Sequence, residues 1–227
     1  KSFKKTLHIN GISISSVNCG LKKKNKHDLV LIKFDKTSKI FGVFTNSQTP
    51  GESVIWNKSI LKYRKVSAIL INSGNANVFN GSRGRISQKK IIQKLSKELS
   101  IKDNEIYIAS TGVIGEPLDH AKIISKIPVL IKKLNNEPSA WLGAAEAIRT
   151  TDTFPKLDTK RLKTNKSIII NGIAKGSGMI APKMATMLSF IFTNAEISEK
   201  KFNKTFKEIV NETFNSITVD GDTSTSD

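Results

Sequence analysis

The strongest constraint on the fold is an alternation. Short runs rich in β-branched and aromatic residues, at 29–34, 40–45, 66–72, 106–110, 166–174 and 187–193, are separated by stretches of helical periodicity. Several runs are nearly continuous in apolar residues, as strands buried on both faces are. From 86 to 99, Ile91, Ile92, Leu95 and Leu99 share one helical face, and Lys89, Lys90, Lys94 and Lys97 lie largely off it. Residues 139–149 are alanine-rich and helical, with Pro138 near their start. Ser198 is placed to cap a helix running to about Asn215, and Phe202, Phe206, Ile209, Val210 and Phe214 form its buried stripe. Strands alternating with helices predict an α/β architecture, with topology left open. The stretch 153–165, where Pro155 is followed by Lys156, Lys160, Arg161 and Lys163, reads as an exposed loop. No repeat or low-complexity linker divides the chain.

A length of 227 residues suffices for one large domain or two small ones with a real core. No apolar run approaches the roughly 20 residues that span a bilayer. Residues 1–16 lack the apolar core of roughly 7 to 15 residues found in a secretory signal. These readings predict a cytoplasmic protein with no membrane partner. Cys19 has no second cysteine to pair with, and His8, His27 and His120 are too scattered for metal-ligand spacing, so no structural metal is expected. The net charge of +18 would by itself suggest nucleic acid. The lysines are spread along the whole chain, however, which reads as a composition bias and not as a binding stripe. The densest run, 22–26, has no interleaved aromatics to stack on bases and reads as a solvated loop. No nucleic-acid partner is expected.

Four segments carry more glycine and small polar residues than packing requires. Asn72-Ser73-Gly74-Asn75-Ala76-Asn77 follows a strand and suits a tight turn, because these residues tolerate left-handed backbone and bond their own main chain. Ser110-Thr111-Gly112-Val113-Ile114-Gly115 also follows a strand. There a glycine allows close approach, so main-chain N–H groups and the Thr111 hydroxyl could face a developing negative charge; taken alone, the segment reads first as a plain strand-to-helix turn. Thr150-Thr151-Asp152-Thr153 clusters hydroxyls at a helix end. Finally, 174–188 runs through Lys175-Gly176-Ser177-Gly178 and Pro182 to Met184-Ala185-Thr186-Met187-Leu188. It is not a phosphate-binding loop, and taken alone it is a loop entering a core strand.

In order and spacing these segments resemble the ornithine acetyltransferase family, the bifunctional glutamate N-acetyltransferases. The likeness extends to Thr150-Thr151-Asp152-Thr153-Phe154-Pro155-Lys156 and to Val219-Asp220-Gly221-Asp222-Thr223-Ser224-Thr225, and runs from about Gly11 to Asp227. The fold it implies is a layered sandwich of mixed sheets and helices, shared with the self-cleaving aminopeptidases. It further implies cleavage between Ala185 and Thr186, giving an alpha chain of 1–185 and the start of a beta chain at 186–227. Thr186 would then carry acetyl from N-acetylornithine to glutamate in arginine biosynthesis. Thr111 and Gly112 match the family's oxyanion-hole pair. Lys175 and one of Thr150 and Thr151, with Thr150 preferred, match substrate-binding positions.

The resemblance implies no cofactor, with acetyl-CoA as a further donor in some relatives, and an assembly of two alpha and two beta chains. Lys183 stands where many relatives carry asparagine. Relatives continue well past the equivalent of Asp227, so part of the substrate site is expected outside this chain. Two other readings make different predictions. A self-cleaving aminopeptidase would hydrolyse amino-acid amides. A basic nucleic-acid-associated protein would show salt-sensitive retention on DNA or RNA.

Overall fold

The computed structural model describes residues 5–23, 25–163, 167–181 and 186–224. Strands β1 (Ile12–Val17), β2 (Leu29–Lys39) and β3 (Lys65–Asn75) form an antiparallel ladder, and β4 (Ile106–Val113) adds to β3 in parallel. A parallel neighbour needs a long crossover. Helix α2 (Gly81–Leu99) supplies it, and helix α1 (Glu52–Ile60) lies between β2 and β3 in the chain. After β4 come helices α3 (His120–Lys132) and α4 (Pro138–Ile148), the latter opening on proline as expected. A second, antiparallel sheet follows, ordered β5 (Lys156–Leu162), β6 (Ile168–Lys175), β7 (Leu188–Thr193), and helix α5 (Glu199–Glu212) comes after it.

The first sheet is covered on both faces, which explains its unbroken apolar runs. On one side Leu29, Leu31, Leu70 and Ile108 pack against Ile91 and Leu95 of α2 and Ile123, Ile127 and Leu130 of α3. On the other, Val30, Ile32, Ile69 and Ile71 meet Trp141, Ala144, Ala145 and Ile148 of α4, joined by Ile173 of β6 and Phe192 of β7. The small residues of α4 let it lie close against the sheet, and Trp141 packs edge-on to Phe192 at 5.2 Å. Each fully buried Leu or Ile contributes about 1.5–3 kcal/mol, so the two faces of this sheet carry most of the apolar stabilisation. The expected α/β layered sandwich is what forms. Among the described residues no helix is long and apolar enough to cross a membrane, and no group of three His, Cys, Asp or Glu could hold a metal ion.

Several elements differ from the sequence expectation. Residues 40–45 are not a strand, although their pattern suits one. The last β2–β3 pair is Lys39 with Lys65, where β3 begins, so beyond Lys39 the ladder has no partner. Phe41 turns instead to Phe202, at 4.6 Å. Conversely, the loop expected at 153–165 contains β5. Its charged residues sit on an edge strand, where lysine and arginine are tolerated and discourage unwanted pairing. The α5 stripe is only partly buried: Val210 is covered, but Ile209 is 51% exposed. Helices α1 and α3 and strand β1 were not anticipated.

Candidate active site

Thr186 lies just ahead of β7 and is 7% exposed. Its hydroxyl donates to the Met179 carbonyl and accepts the Ser224 N–H at 3.0 Å. The Oγ is thereby fixed between two loops that are distant in sequence. Asp220 ties the same loops together. Its carboxylate accepts the N–H groups of Met179 at 2.6 Å and Ile180 at 3.1 Å, while the Val219 N–H donates to the Ile180 carbonyl at 2.9 Å. Donation from Met179 holds the Asp220 carboxyl below its ordinary range; desolvation opposes this, and the Asp222 and Ile180 N–H groups reinforce it.

A second tether joins the other two predicted substrate segments. Asp152 accepts the Gly176 N–H at 2.8 Å and pairs with Lys156, and the Thr151 and Ser177 hydroxyls lie 3.0 Å apart. Burial pushes the Asp152 carboxyl up, but the Lys156 hydrogen bond and charge and the Gly176 and Thr150 N–H groups outweigh it. The group therefore sits below its ordinary range. Lys175, next to Gly176, is 2% exposed and points inward from β6, whereas Thr150 is exposed at the end of α4. Gly176 has φ +142, and a Cβ there would meet the Ile180 side chain at 3.1 Å and Met187 at 3.5 Å. The Gly176 loop is thus in contact with the chain that leads from Thr186 into β7.

Thr111 and Gly112 close the end of β4, opposite Ser73 and Gly74 of β3. Thr111 is 1% exposed. Gly112 has φ +130, and a Cβ on it would lie 2.5 Å from the Gly74 carbonyl carbon, so no other residue fits. The asparagine turn does more than reverse the chain. Asn72 accepts the Ser110 hydroxyl at 2.7 Å, Asn75 donates to the Glu116 carbonyl at 3.0 Å, and Asn77 donates to the Gly84 carbonyl at 3.2 Å. It welds β3, β4 and α2 together behind the glycines.

Among the described residues no hydrogen bond runs directly from Thr111 or Gly112 to Thr186. Ser73, opposite Thr111 in register, donates instead to the Ala147 carbonyl near the end of α4, which also accepts the Lys22 ammonium at 2.7 Å. The solvated-loop reading of 22–26 holds for the exposed Lys23, Asn25 and Lys26 but not for Lys22, which is half-buried and whose ammonium pKa burial lowers to about 8. Lys22 and Asp220 did not stand out in the sequence because their partners Ala147, Met179 and Ile180 are far off along the chain, and the buried Asp28 because a lone acidic residue near a lysine-rich turn carries no motif. Ala185, Lys183, Met184 and Thr225 lie outside the described residues.

The sequence profile of the ArgJ family matches residues 13–227. The chain belongs to the ArgJ family. It is 47% identical over 220 residues to the arginine biosynthesis bifunctional protein ArgJ of Bartonella henselae, and 46% identical over 220 residues to that of Bradyrhizobium diazoefficiens. Each alignment covers 96% of this chain and 53% of the relative, so the chain spans about half the length of the curated relatives it matches. The crystal structure of the Bacillus halodurans ArgJ protein superposes with a TM-score of 0.73 at 30% identity, covering 78% of this chain and 92% of that one. The ornithine acetyltransferase of Mycobacterium tuberculosis, solved in complex with ornithine, gives 0.68 at 25% identity, covering 79% and 93%.

Proposed function

We propose that the chain forms part of a glutamate N-acetyltransferase of arginine biosynthesis that matures by cleaving itself between Ala185 and Thr186. The observation that carries this reading is the seating of the Thr186 hydroxyl between the Met179 carbonyl and the Ser224 N–H. These two main-chain partners hold the Oγ at one point between separate loops, as a nucleophile has to be held. In the precursor, Oγ attacks the Ala185 carbonyl carbon, the bond to the Thr186 nitrogen breaks, and the resulting ester is opened by water. The products are a carboxylate at Ala185 and a free α-amine on Thr186. That amine, with a reference pKa near 7.7 to 8.0, is the adjacent base the hydroxyl lacks as an internal residue.

Transfer then takes two balanced steps. Thr186 Oγ attacks the acetyl carbonyl of N-acetylornithine, and ornithine leaves carrying the proton; the α-amine of glutamate attacks the acetyl ester and regenerates the hydroxyl. Thr111 and Gly112 donate to each tetrahedral oxyanion. Lys175 takes the α-carboxylate common to both amino acids, and Thr150 binds beside it. On this reading 1–185 is the alpha chain and 186–227 begins the beta chain. The mature enzyme is cytoplasmic, contains two copies of each, and needs no cofactor, with acetyl-CoA a second acetyl donor where the bifunctional activity is retained.

Intact mass and N-terminal sequencing of the complete protein test it. Two chains are expected, the second beginning at Thr186, together with acetyl transfer from N-acetylornithine to glutamate. Active protein that remains a single intact chain overturns the cleavage, and hydrolysis of amino-acid amides without transfer overturns the substrate.

A further inference from the structure

We infer that Asp28 is a positioning residue for the oxyanion hole: its carboxylate fixes the 19–22 loop, and that loop is the backstop against which Gly74 and Gly112 are set. The inference rests on the acetyl-transfer reading of Thr111 and Gly112. Asp28 is 0% exposed. Its Oδ1 accepts the Cys19 N–H at 2.6 Å, and its Oδ2 accepts the N–H groups of Leu21 at 2.7 Å and Lys22 at 2.9 Å. A buried carboxylate is retained only where such donors satisfy it. Here all the charge is spent on shaping one turn.

That turn touches the strand ends directly. A Cβ on Gly74 would stand 2.8 Å from the Leu21 carbonyl oxygen, and one on Gly112 would stand 2.5 Å from the Gly74 carbonyl carbon. Three layers of main chain are therefore stacked without side chains between them, in the order 19–22 loop, Gly74, Gly112. Both glycines have positive φ, +103 and +130, so neither can be shifted by exchanging a side chain. Asp28 also fixes the middle layer from its own backbone, because its carbonyl accepts the Ser73 N–H at 2.8 Å. The same loop reaches the substrate side, where Lys22 shares the Ala147 carbonyl with the Ser73 hydroxyl.

Asp28→Asn keeps the shape and leaves one acceptor oxygen where three N–H groups need two. In the complete enzyme we expect kcat to fall roughly 10- to 100-fold, since a misplacement near 1 Å costs about 100-fold. KM for N-acetylornithine should stay within about twofold, because the lost interaction exists in the transition state. Cys19, whose thiol is pushed up to about 12 by burial and by Asp28, should become open to alkylation as the turn loosens. Leu95→Ala, in α2 and in the same apolar cluster as Cys19 and Leu21, serves as the stability control: it removes packing behind the turn without touching the Asp28 hydrogen bonds, and, matched for loss of Tm, it keeps kcat. Should Asp28→Asn fail to fold, Asp28→Glu retains the charge, moves the turn by one methylene, and should lose kcat at constant KM in the same way.

A kcat within about twofold of the unsubstituted enzyme, or a loss no greater than that of Leu95→Ala, overturns the inference. If the unsubstituted enzyme transfers no acetyl, the functional reading fails by itself. The crystal structure of Asp28→Asn then decides the positional one: displacement of Leu21 from Gly74 by more than about 0.5 Å supports it, and an unmoved turn overturns it.

Discussion

The two sheets have opposite characters. The first is sealed between α2 and α3 on one face and α4 on the other, and Leu29, Val30, Leu31 and Ile32 of one strand are all 0% exposed. The second is covered on one face. Ile173 and Phe192 are buried toward α4, while Ile191, between them in register, is 56% exposed. The sealed sheet holds the rigid glycine pair, and the one-sided sheet leads into the loops that carry Thr186. On the proposed reading, stability and nucleophile are drawn from different layers, and a substitution should damage one with little effect on the other.

Thr186→Ala is the sharpest attempt to break that division. It should abolish cleavage and lower acetyl transfer by roughly 10⁴-fold or more, leaving Tm within a few degrees; a collapse of Tm in a melting scan would show that the nucleophile also holds the fold. Gly112→Ala comes next, with a loss of about 100- to 1,000-fold in kcat as the oxyanion donors are displaced, measured against its own Tm. Leu95→Ala should reverse the pattern, costing about 2–5 kcal/mol of stability by denaturant titration while kcat stays unchanged. Ile191→Thr, on the open face, should stay within about 0.5 kcal/mol.

The smallest effect concerns pH. The Lys22 ammonium, lowered to about 8 chiefly by burial, lies among Asp28, Glu146, Arg149, His27 and Lys26. Above that pH the unfolded chain holds the Lys22 proton more tightly than the folded one does, so its contribution to stability rises from about pH 8 toward the ordinary lysine value. Comparing Tm of the parent and Lys22→Met across that range should show this rise in the parent alone.

The sealed sheet was the legible part of the fold, because burial on both faces writes continuous apolar runs. Strand β5 was not, since Lys156, Asp158 and Lys160 on an edge look like any charged loop. The 40–45 run was misleading for the complementary reason: its residue types suit a strand, but a strand also needs a neighbour, and β3 begins only at Lys65, opposite Lys39. In the site, Thr186, Thr111, Gly112, Thr150 and Lys175 stood out through motif resemblance. Asp28 carried no local signal. It is one acidic residue between a lysine-rich turn and an apolar strand, and its role appears only once Cys19, Leu21 and Ser73 converge on it. Asp220 lay within a recognised motif, but its partners Met179 and Ile180 are about forty positions away.

The proposed scission has a physical corollary in the β6–β7 pairing. Residues 170–175 and 188–193 are laced together by an antiparallel ladder, and Asp220 clasps Met179 and Ile180 from the far side of the cut. The peptide linkage between these halves is therefore mechanically redundant. The nicked protein should travel as one particle through gel filtration and part only in denaturant. Either half produced alone would present a raw sheet edge and seek its complement.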